Sequence, residues 1–178
     1  MPTYVAFLRA INLGARRKFP KADIKTAVEA AGGTDVETYI NTGNVRFDST
    51  LRSRARVEAA LERAFLDDRG FEVPTIVLTL SELAQVAGDA EELAAGRPDD
   101  GRHYVSVLKE APAQATVREA EGLSTEAERV VVRSRAAHLL LGANYHEAAI
   151  DNAVIEKVLG VATNRRDTVI IAMAKKWC

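Results

Sequence analysis

The first half of the chain opens with an apolar run and continues with a helical pattern. Residues 4 to 12 are mostly apolar without alternation, which is typical of a central strand covered on both faces. Residues 20 to 31 then repeat apolar side chains at helical spacing, begin at a proline and stop at Gly32 and Gly33. The pattern therefore predicts a buried strand followed by an amphipathic helix.

A hairpin and a second helix–strand pair complete this half. Strands predicted at 36 to 40 and 45 to 47 flank residues 41 to 44, Asn-Thr-Gly-Asn, which favour a tight turn. A helix is predicted over 53 to 68, and an apolar strand follows it at 75 to 80. The resulting order, βαββαβ, is the ferredoxin-like arrangement.

The second half repeats this beginning at an offset of 100 residues. A helix at 113 to 121, strands at 128 to 134 and 137 to 142, and a helix at 146 to 159 follow in the same order. The last apolar segment, 168 to 173, is ambiguous, since its β-branched run favours a strand while the residues before it suit a helix start. The residues that repeat are Tyr4, Val5, Leu8 and Arg9, which correspond to Tyr104, Val105, Leu108 and Lys109.

The predicted fold class is α+β, with two ferredoxin-like repeats of the βαββα type and a predominantly antiparallel sheet. We predict a first repeat over residues 1–80 and a second, partly degenerate repeat over 102–178. Residues 81–101 between them form a connecting helix and a linker. The linker is acidic and contains glycine and proline, as expected of a solvated connection.

Composition narrows the class of protein. With 47% hydrophobic residues, 28% charged residues and a net charge of −1, the 178-residue chain resembles ordinary globular proteins and not a wholly basic nucleic-acid binder. No apolar run approaches the roughly 20 residues needed to span a bilayer. The N-terminus also lacks the pattern of a signal peptide. We therefore expect a cytoplasmic monomer or homodimer with no membrane partner.

The sequence gives little indication of a disulfide, a metal site or a bound cofactor. Cys178 is the single cysteine, so an internal disulfide cannot form. His103, His138 and His146 lack metal-ligand spacing, and a core histidine is the simpler interpretation of His138 in its apolar strand. No phosphate loop, dinucleotide fingerprint or nucleophile elbow is present. We expect no metal and no cofactor.

Polar and positively charged residues cluster where the first strand ends. Six cations between positions 9 and 25 accompany a single acid, Asp23. In a ferredoxin-like sheet the first strand runs antiparallel to the third, so its end should lie beside the 41 to 44 turn. Amide side chains, glycine backbone and cations in one place suit a phosphate or carboxylate. The candidate ligand-binding residues are Arg9, Asn12, Gly14, Arg16, Arg17, Lys18, Asn41, Gly43 and Asn44.

A structural interpretation of these residues stays open beside the functional one. Asn-Thr-Gly-Asn is good hairpin chemistry, and glycines permit the positive φ angles that turns need. The cations then belong to an ordinary solvated surface.

Four stretches carry a resemblance to a known family. They are YVAFLRAINLG at 4–14, the prolyl helix start after the basic triplet, TYINTGNVRF at 38–47 and NAVIEKVLGV at 152–161. With these motifs the chain resembles the bacterial domain of unknown function 1697 family. The resemblance implies a small cytoplasmic α+β protein with ferredoxin-like repeats, in a family without an assigned activity. Alanines stand at 148 and 149 where the family has serine and lysine.

Two functions of different class fit the candidate site. The preferred hypothesis is a binding domain that holds a small anionic ligand or an acidic partner at the Asn12/Asn44 edge. The alternative is a small transferase or hydrolase acting on a phosphorylated or nucleotide-like substrate, with Arg9 and Lys18 as anion clamps. Whether the protein is an enzyme stays open, because no general base is evident.

A lesser alternative is an RNA-binding module. Such modules stack bases on aromatic residues of an open sheet. Tyr4 and Phe7 are three residues apart and therefore point to opposite faces of a strand. Nucleic acid is accordingly an unlikely partner.

Overall fold

The computed structural model describes every residue of the chain, 1 to 178, in two compact units, Met1–Leu80 and Ser81–Cys178. The first unit contains β1 (Thr3–Leu8), α1 (Lys21–Ala30), β2 (Thr34–Tyr39), β3 (Asn44–Asp48), α2 (Arg54–Arg69) and β4 (Thr75–Thr79). The next helix is α3 (Leu80–Ala94). The second unit continues with β5 (Arg102–Leu108), α4 (Gln114–Glu121), β6 (Glu128–Arg133), β7 (Ala136–Leu141), α5 (Asn152–Leu159), β8 (Ala162–Arg166) and α6 (Asp167–Trp177).

Each unit is built on one four-stranded antiparallel sheet. The strand order is β2-β3-β1-β4 in the first and β6-β7-β5-β8 in the second, which is the ferredoxin-like order in both cases. The sequence-based prediction of two ferredoxin-like repeats is therefore confirmed. None of the helices combines the length and the apolar character required to cross a membrane.

β1 and β5 donate equivalent backbone hydrogen bonds from residues that lie 100 positions apart. The N–H of Leu8 donates to Gly43 at 2.8 Å, and that of Leu108 donates to Arg135 at 2.9 Å. A carboxylate on a helix also plays the same role in both units. Glu62 accepts a hydrogen bond from the first N–H of β4 at 2.9 Å. Glu156 accepts from the first N–H of β8 at 3.0 Å. Both fourth strands lie at a sheet edge, where these carboxylates satisfy N–H groups that no neighbouring strand reaches.

The first sheet is buried on both faces. α1 and α2 cover the face that carries Tyr4, Ala6 and Leu8, while Val5 and Phe7 on the opposite face are also fully buried. The aromatic side chains that an RNA-binding sheet would present to solvent, Tyr4, Phe7 and Phe47, are all buried.

Local capping fixes where two helices begin. Ser53 accepts a hydrogen bond from the N–H of Arg56 at 3.4 Å and caps α2, which ends at Gly70 in the left-handed conformation. Asp151 likewise accepts from Val154 at 2.9 Å and starts α5 at Asn152. The prediction of one helix over 146 to 159 was wrong in its first half, because residues 145–147 form only a short 3-10 turn before this cap.

The C-terminal segment adopts the helical one of its two predicted alternatives, and an unpredicted strand precedes it. Segment 168 to 173 belongs to helix α6, whose buried residues Ile170, Met173 and Trp177 recur at helical spacing. The place beside β5 that it would occupy as a strand is taken by β8. β8 has the polar sequence ATNRR, so no apolar pattern predicted it.

Candidate functional site

Two segments meet at the edge of the first unit where β1 ends. They are the loop that follows β1, residues 9 to 20, here called the basic loop, and the β2–β3 turn at 40 to 43. Because β1 and β3 are antiparallel, Phe7 near the end of β1 lies opposite Asn44 at the start of β3. The structure therefore brings together the two motifs that the sequence analysis placed side by side.

Asn12 joins these segments through its side-chain amide. Its Nδ2 donates to the backbone oxygen of Asn41 at 2.7 Å and to that of Phe19 at 3.3 Å. Its Oδ1 accepts from the N–H of Phe19 at 2.9 Å, and its own N–H donates to the Arg17 oxygen at 2.7 Å. Both donor hydrogens of the amide are thus engaged within the chain. Asn12 closes the loop and has no donor left for a ligand.

Asn44 and Gly43 serve the turn in a similar way. Asn44 is buried, and its Nδ2 donates to the Tyr39 oxygen at 3.1 Å and to the Thr42 hydroxyl at 2.8 Å. Gly43 has φ +78°, and a Cβ there would lie 2.7 Å from the Leu8 Cβ. The turn requires glycine for both its conformation and its close approach to β1.

Arg17 anchors the other side of the basic loop. Its Nε donates to the Ala10 oxygen at 2.6 Å, its Nη2 donates to the Glu72 oxygen at 2.7 Å, and its guanidinium lies 4.6 Å from the centre of the Phe71 ring. All these partners are neutral. The Arg17 charge is therefore fixed in place without a carboxylate to neutralise it.

The remaining candidate residues present groups to solvent. The side chains of Arg16 and Lys18 are exposed and form no ion pair, and Gly14 and Asn41 are exposed beside them. The backbone N–H groups of residues 14 to 16 donate no hydrogen bond within the chain. Arg9 is half-buried, and its backbone N–H donates to the Pro74 oxygen at 2.9 Å.

The nearest acid along the chain does not neutralise the basic loop. Asp23 pairs with Arg69 at 3.1 Å, and the same arginine pairs with Asp68 at 2.7 Å. Lys21, at the start of α1, is exposed. Positive charge therefore predominates on this edge.

The backbone at this edge is unusually rich in left-handed conformations. Ala10, Asn12 and Gly14 in the basic loop have φ of +57°, +55° and +66°, and Ile40 in the facing turn has +49°. A β-branched residue at positive φ is a genuine outlier, and residues in such conformations cluster at functional sites. The fold thus tolerates local strain where the basic loop and the turn meet.

A second polar cluster, in the other unit, was not predicted as a site. His103 on β5 and His138 on β7 are fully buried, and their rings are joined by a 3.0 Å hydrogen bond between Nε2 and Nδ1. Only the antiparallel β5–β7 register, in which Val105 lies opposite His138, brings the two rings together. No group of three or more His, Cys, Asp or Glu side chains is arranged to hold a metal ion.

Comparison with known proteins places this architecture in a family. The fold defines a small α+β protein made of two ferredoxin-like units. A family described as "Protein of unknown function (DUF1697)" matches residues 1–138, and the chain belongs to this family. The match includes the whole basic loop and the β2–β3 turn.

A solved structure shares the complete fold. The conserved bacterial protein SP0830 from Streptococcus pneumoniae is similar over 99% of this chain and 98% of its own, with a TM-score of 0.79 and 20% sequence identity. At that identity the likeness concerns the fold alone. None of the curated proteins that were compared matches the chain.

Proposed function

We propose that the basic loop of the first unit binds a small anionic ligand through a phosphate or carboxylate group. The observation that carries this proposal is a set of cations, Arg16, Arg17 and Lys18, held on a strained loop without a carboxylate partner. The free N–H groups of residues 14 to 16 add donors of the kind that cradle anions.

The residues divide into two roles. Arg16 and Lys18 are free to contact the anion, together with the backbone of Gly14. Asn12 and Arg17 act as positioning residues, because their polar atoms are engaged by the protein backbone. This division differs from the sequence-based hypothesis, in which the amides of Asn12 and Asn44 would contact the ligand directly.

The function proposed is binding and not turnover. Residues 9 to 20 and 40 to 44 contain no carboxylate and no histidine, so neither segment supplies a general base. Exposed cations bind anions with an affinity that falls as salt screens them, with a Debye length of roughly 8 Å at physiological ionic strength. We therefore expect affinity for the anion to fall between low and high salt.

The proposal is tested with inorganic phosphate, pyrophosphate and citrate as probes in titration calorimetry. The double variant Arg16→Ala/Lys18→Ala should lose at least tenfold in affinity for the anion that binds best. Its matched control is Arg52→Ala/Arg56→Ala, which removes two exposed cations from the opposite end of the same unit. Equal loss in both double variants, or no binding of any probe by the wild type, would refute the proposal.

Two exposed apolar side chains favour a ligand that carries an apolar group next to its anion. Leu13 is 64% exposed and Ile40 is 38% exposed, and each is the chain neighbour of a residue in the Asn12–Asn41 hydrogen bond. Phenyl phosphate should therefore bind more tightly than inorganic phosphate. Leu13→Ser should remove that difference and leave the affinity for inorganic phosphate unchanged. If phenyl phosphate shows no advantage, the apolar side chains take no part in binding.

A further inference from the structure

A buried pair of histidines lies at the centre of the second sheet. In the β5–β7 register Val105 lies opposite His138. His103, two residues before Val105, is therefore a diagonal neighbour of His138 on the same face of the sheet. Both rings are fully buried, and the Nε2 of His103 lies 3.0 Å from the Nδ1 of His138. Histidine is intermediate in burial among residue types, so two contacting rings without exposed surface are unusual.

Helix α6 joins this pair through its first residue. The Oδ2 of Asp167, which is also buried, lies 3.6 Å from the Nδ1 of His103. Arg97 lies 3.7 Å from the same carboxylate oxygen. α6 packs on β5 and β8, so Asp167 and the pair connect this helix to the two central strands of the sheet.

The proton positions in the neutral pair follow from these contacts. The carboxylate of Asp167 favours a proton on the Nδ1 of His103. The Nε2 of His103 is then an acceptor, and the Nδ1–H of His138 donates to it. The Nε2 of His138 keeps a lone pair and has no hydrogen-bond partner. One hydrogen bond thus depends on the pair holding a single proton between its two facing nitrogens.

Added protons have no favourable place in this arrangement. A first proton puts a positive charge into a fully buried site. A second makes both rings doubly protonated, so two N–H groups face each other across 3.0 Å and the hydrogen bond is lost. Burial lowers the pKa of His138 to about 3, with smaller effects of His103 and Arg133 in the same direction. Burial also lowers the pKa of His103, while Asp167 opposes and Arg97 reinforces this shift.

The other charged groups around the pair do not offset an added proton. On β6, Arg133 lies 3.1 Å from Glu92 and 3.8 Å from Asp89, both on α3. On β8, Arg165 is a buried cation that donates to the Thr163 hydroxyl and the Asn164 oxygen. Asp167 is the one carboxylate that faces the histidines.

We propose that His103 and His138, together with Asp167, make the second unit acid-sensitive: the unit keeps its full stability while the buried pair is neutral, and it loses stability at acidic pH, where the unfolded chain binds protons that the buried pair does not accept. The histidines of the unfolded chain bind protons near pH 6.5. Because the folded unit resists these protons, its stability is complete above about pH 6.5 and is lost as the pH falls below that value. Each proton taken up on unfolding raises the unfolding equilibrium constant about tenfold per pH unit.

Trp177 provides a local probe, because it is the only tryptophan of the chain and is buried on α6. Urea unfolding of the full chain, followed by Trp177 emission between pH 7 and 5, measures the proton uptake. This range lies above the titration of ordinary carboxylates, at about pH 4. The wild type should show an acid-dependent loss of stability, and His138→Asn should reduce its slope by about one proton. The matched control, His146→Asn, changes an exposed histidine and should keep the wild-type slope.

A second measurement on the wild type covers the case in which His138→Asn does not fold. Ring-nitrogen NMR of the folded protein should show His103 and His138 neutral at pH 5.5, each with its proton on Nδ1. Titration of either buried ring near pH 6.5 in the folded protein would overturn the proposal. So would equal acid slopes in the wild type and His138→Asn.

Discussion

The side-chain amide of Asn12 donates a 2.7 Å hydrogen bond to the backbone oxygen of Asn41 and joins the basic loop to the β2–β3 turn. The same amide also contacts both backbone groups of Phe19. One side chain therefore closes the basic loop and fixes its position beside β3. If the loop binds an anion, its conformation depends on a residue that does not contact that anion.

Asn12→Ala should lower the free energy of unfolding by about 2–3 kcal/mol, because it removes several partly buried hydrogen bonds and leaves alanine at positive φ. Asn41→Ala is the matched control. Asn12 contacts only the backbone of Asn41, so this change should cost less than about 0.5 kcal/mol. Urea unfolding followed by circular dichroism measures both, and equal losses would contradict the role given to Asn12.

Gly43→Ala should be among the most damaging single changes at this edge. A Cβ there would lie 2.7 Å from the Leu8 Cβ and 2.8 Å from the Ile11 Cδ1, at φ +78°. We expect a loss of about 3 kcal/mol from strain and overpacking together. Gly14→Ala has a similar φ of +66° but open space around it, so its cost should be about 1 kcal/mol. Thermal unfolding of the two variants separates the steric cost from the conformational one.

Ile40→Asn should stabilise the protein by up to about 1 kcal/mol, since asparagine tolerates the left-handed conformation that strains a β-branched residue. Leu13→Asn is a suitable comparison. It changes a more exposed apolar residue without positive φ and should not stabilise. A melting temperature of Ile40→Asn below that of the wild type would show that the side chain of Ile40 contributes more than its backbone strain costs.

Glu58 protects the edge of β4. It is buried on α2, and its Oε1 accepts from the N–H of Val77 at 3.0 Å. Glu58→Ala should lose about 2–3 kcal/mol, because it leaves a buried N–H without this acceptor. Glu58→Gln keeps an oxygen in the same place and should lose less than about 1 kcal/mol. Chemical denaturation compares the two, and equal losses would show that the charge matters and not the hydrogen bond.

Local sequence determined most of the element order. Pro20 and the glycines at 32 and 33 bound α1, and Ser53 caps α2 at the predicted start. The Asn-Thr-Gly-Asn turn and the repeat at an offset of 100 residues then led to the correct succession of strands as far as β7. These features depend on neighbours along the chain, so periodicity and turn chemistry suffice to predict them. The convergence of Asn12 with the turn followed from strand direction alone.

Tertiary structure decided what the chain's local preferences left open. The β-branched segment of α6 is helical because β8 already occupies the place beside β5 and because Ile170, Met173 and Trp177 bury one helical face. β8 itself pairs through its backbone, which leaves no apolar pattern to detect. Both outcomes depend on which partner fills a position in the sheet, and a single segment does not contain that information.

The roles of the polar residues also required the tertiary structure. The sequence identified Asn12, Arg17 and Asn44 as candidate ligand contacts, but their hydrogen-bonding groups meet backbone atoms from distant segments. His103 and His138 showed no motif, because 35 positions separate them along the chain and only the β5–β7 register joins their rings. Sequence thus determined which polar groups exist and which strands carry them. Packing decided which of them the protein uses internally and which it leaves available to a ligand or a proton.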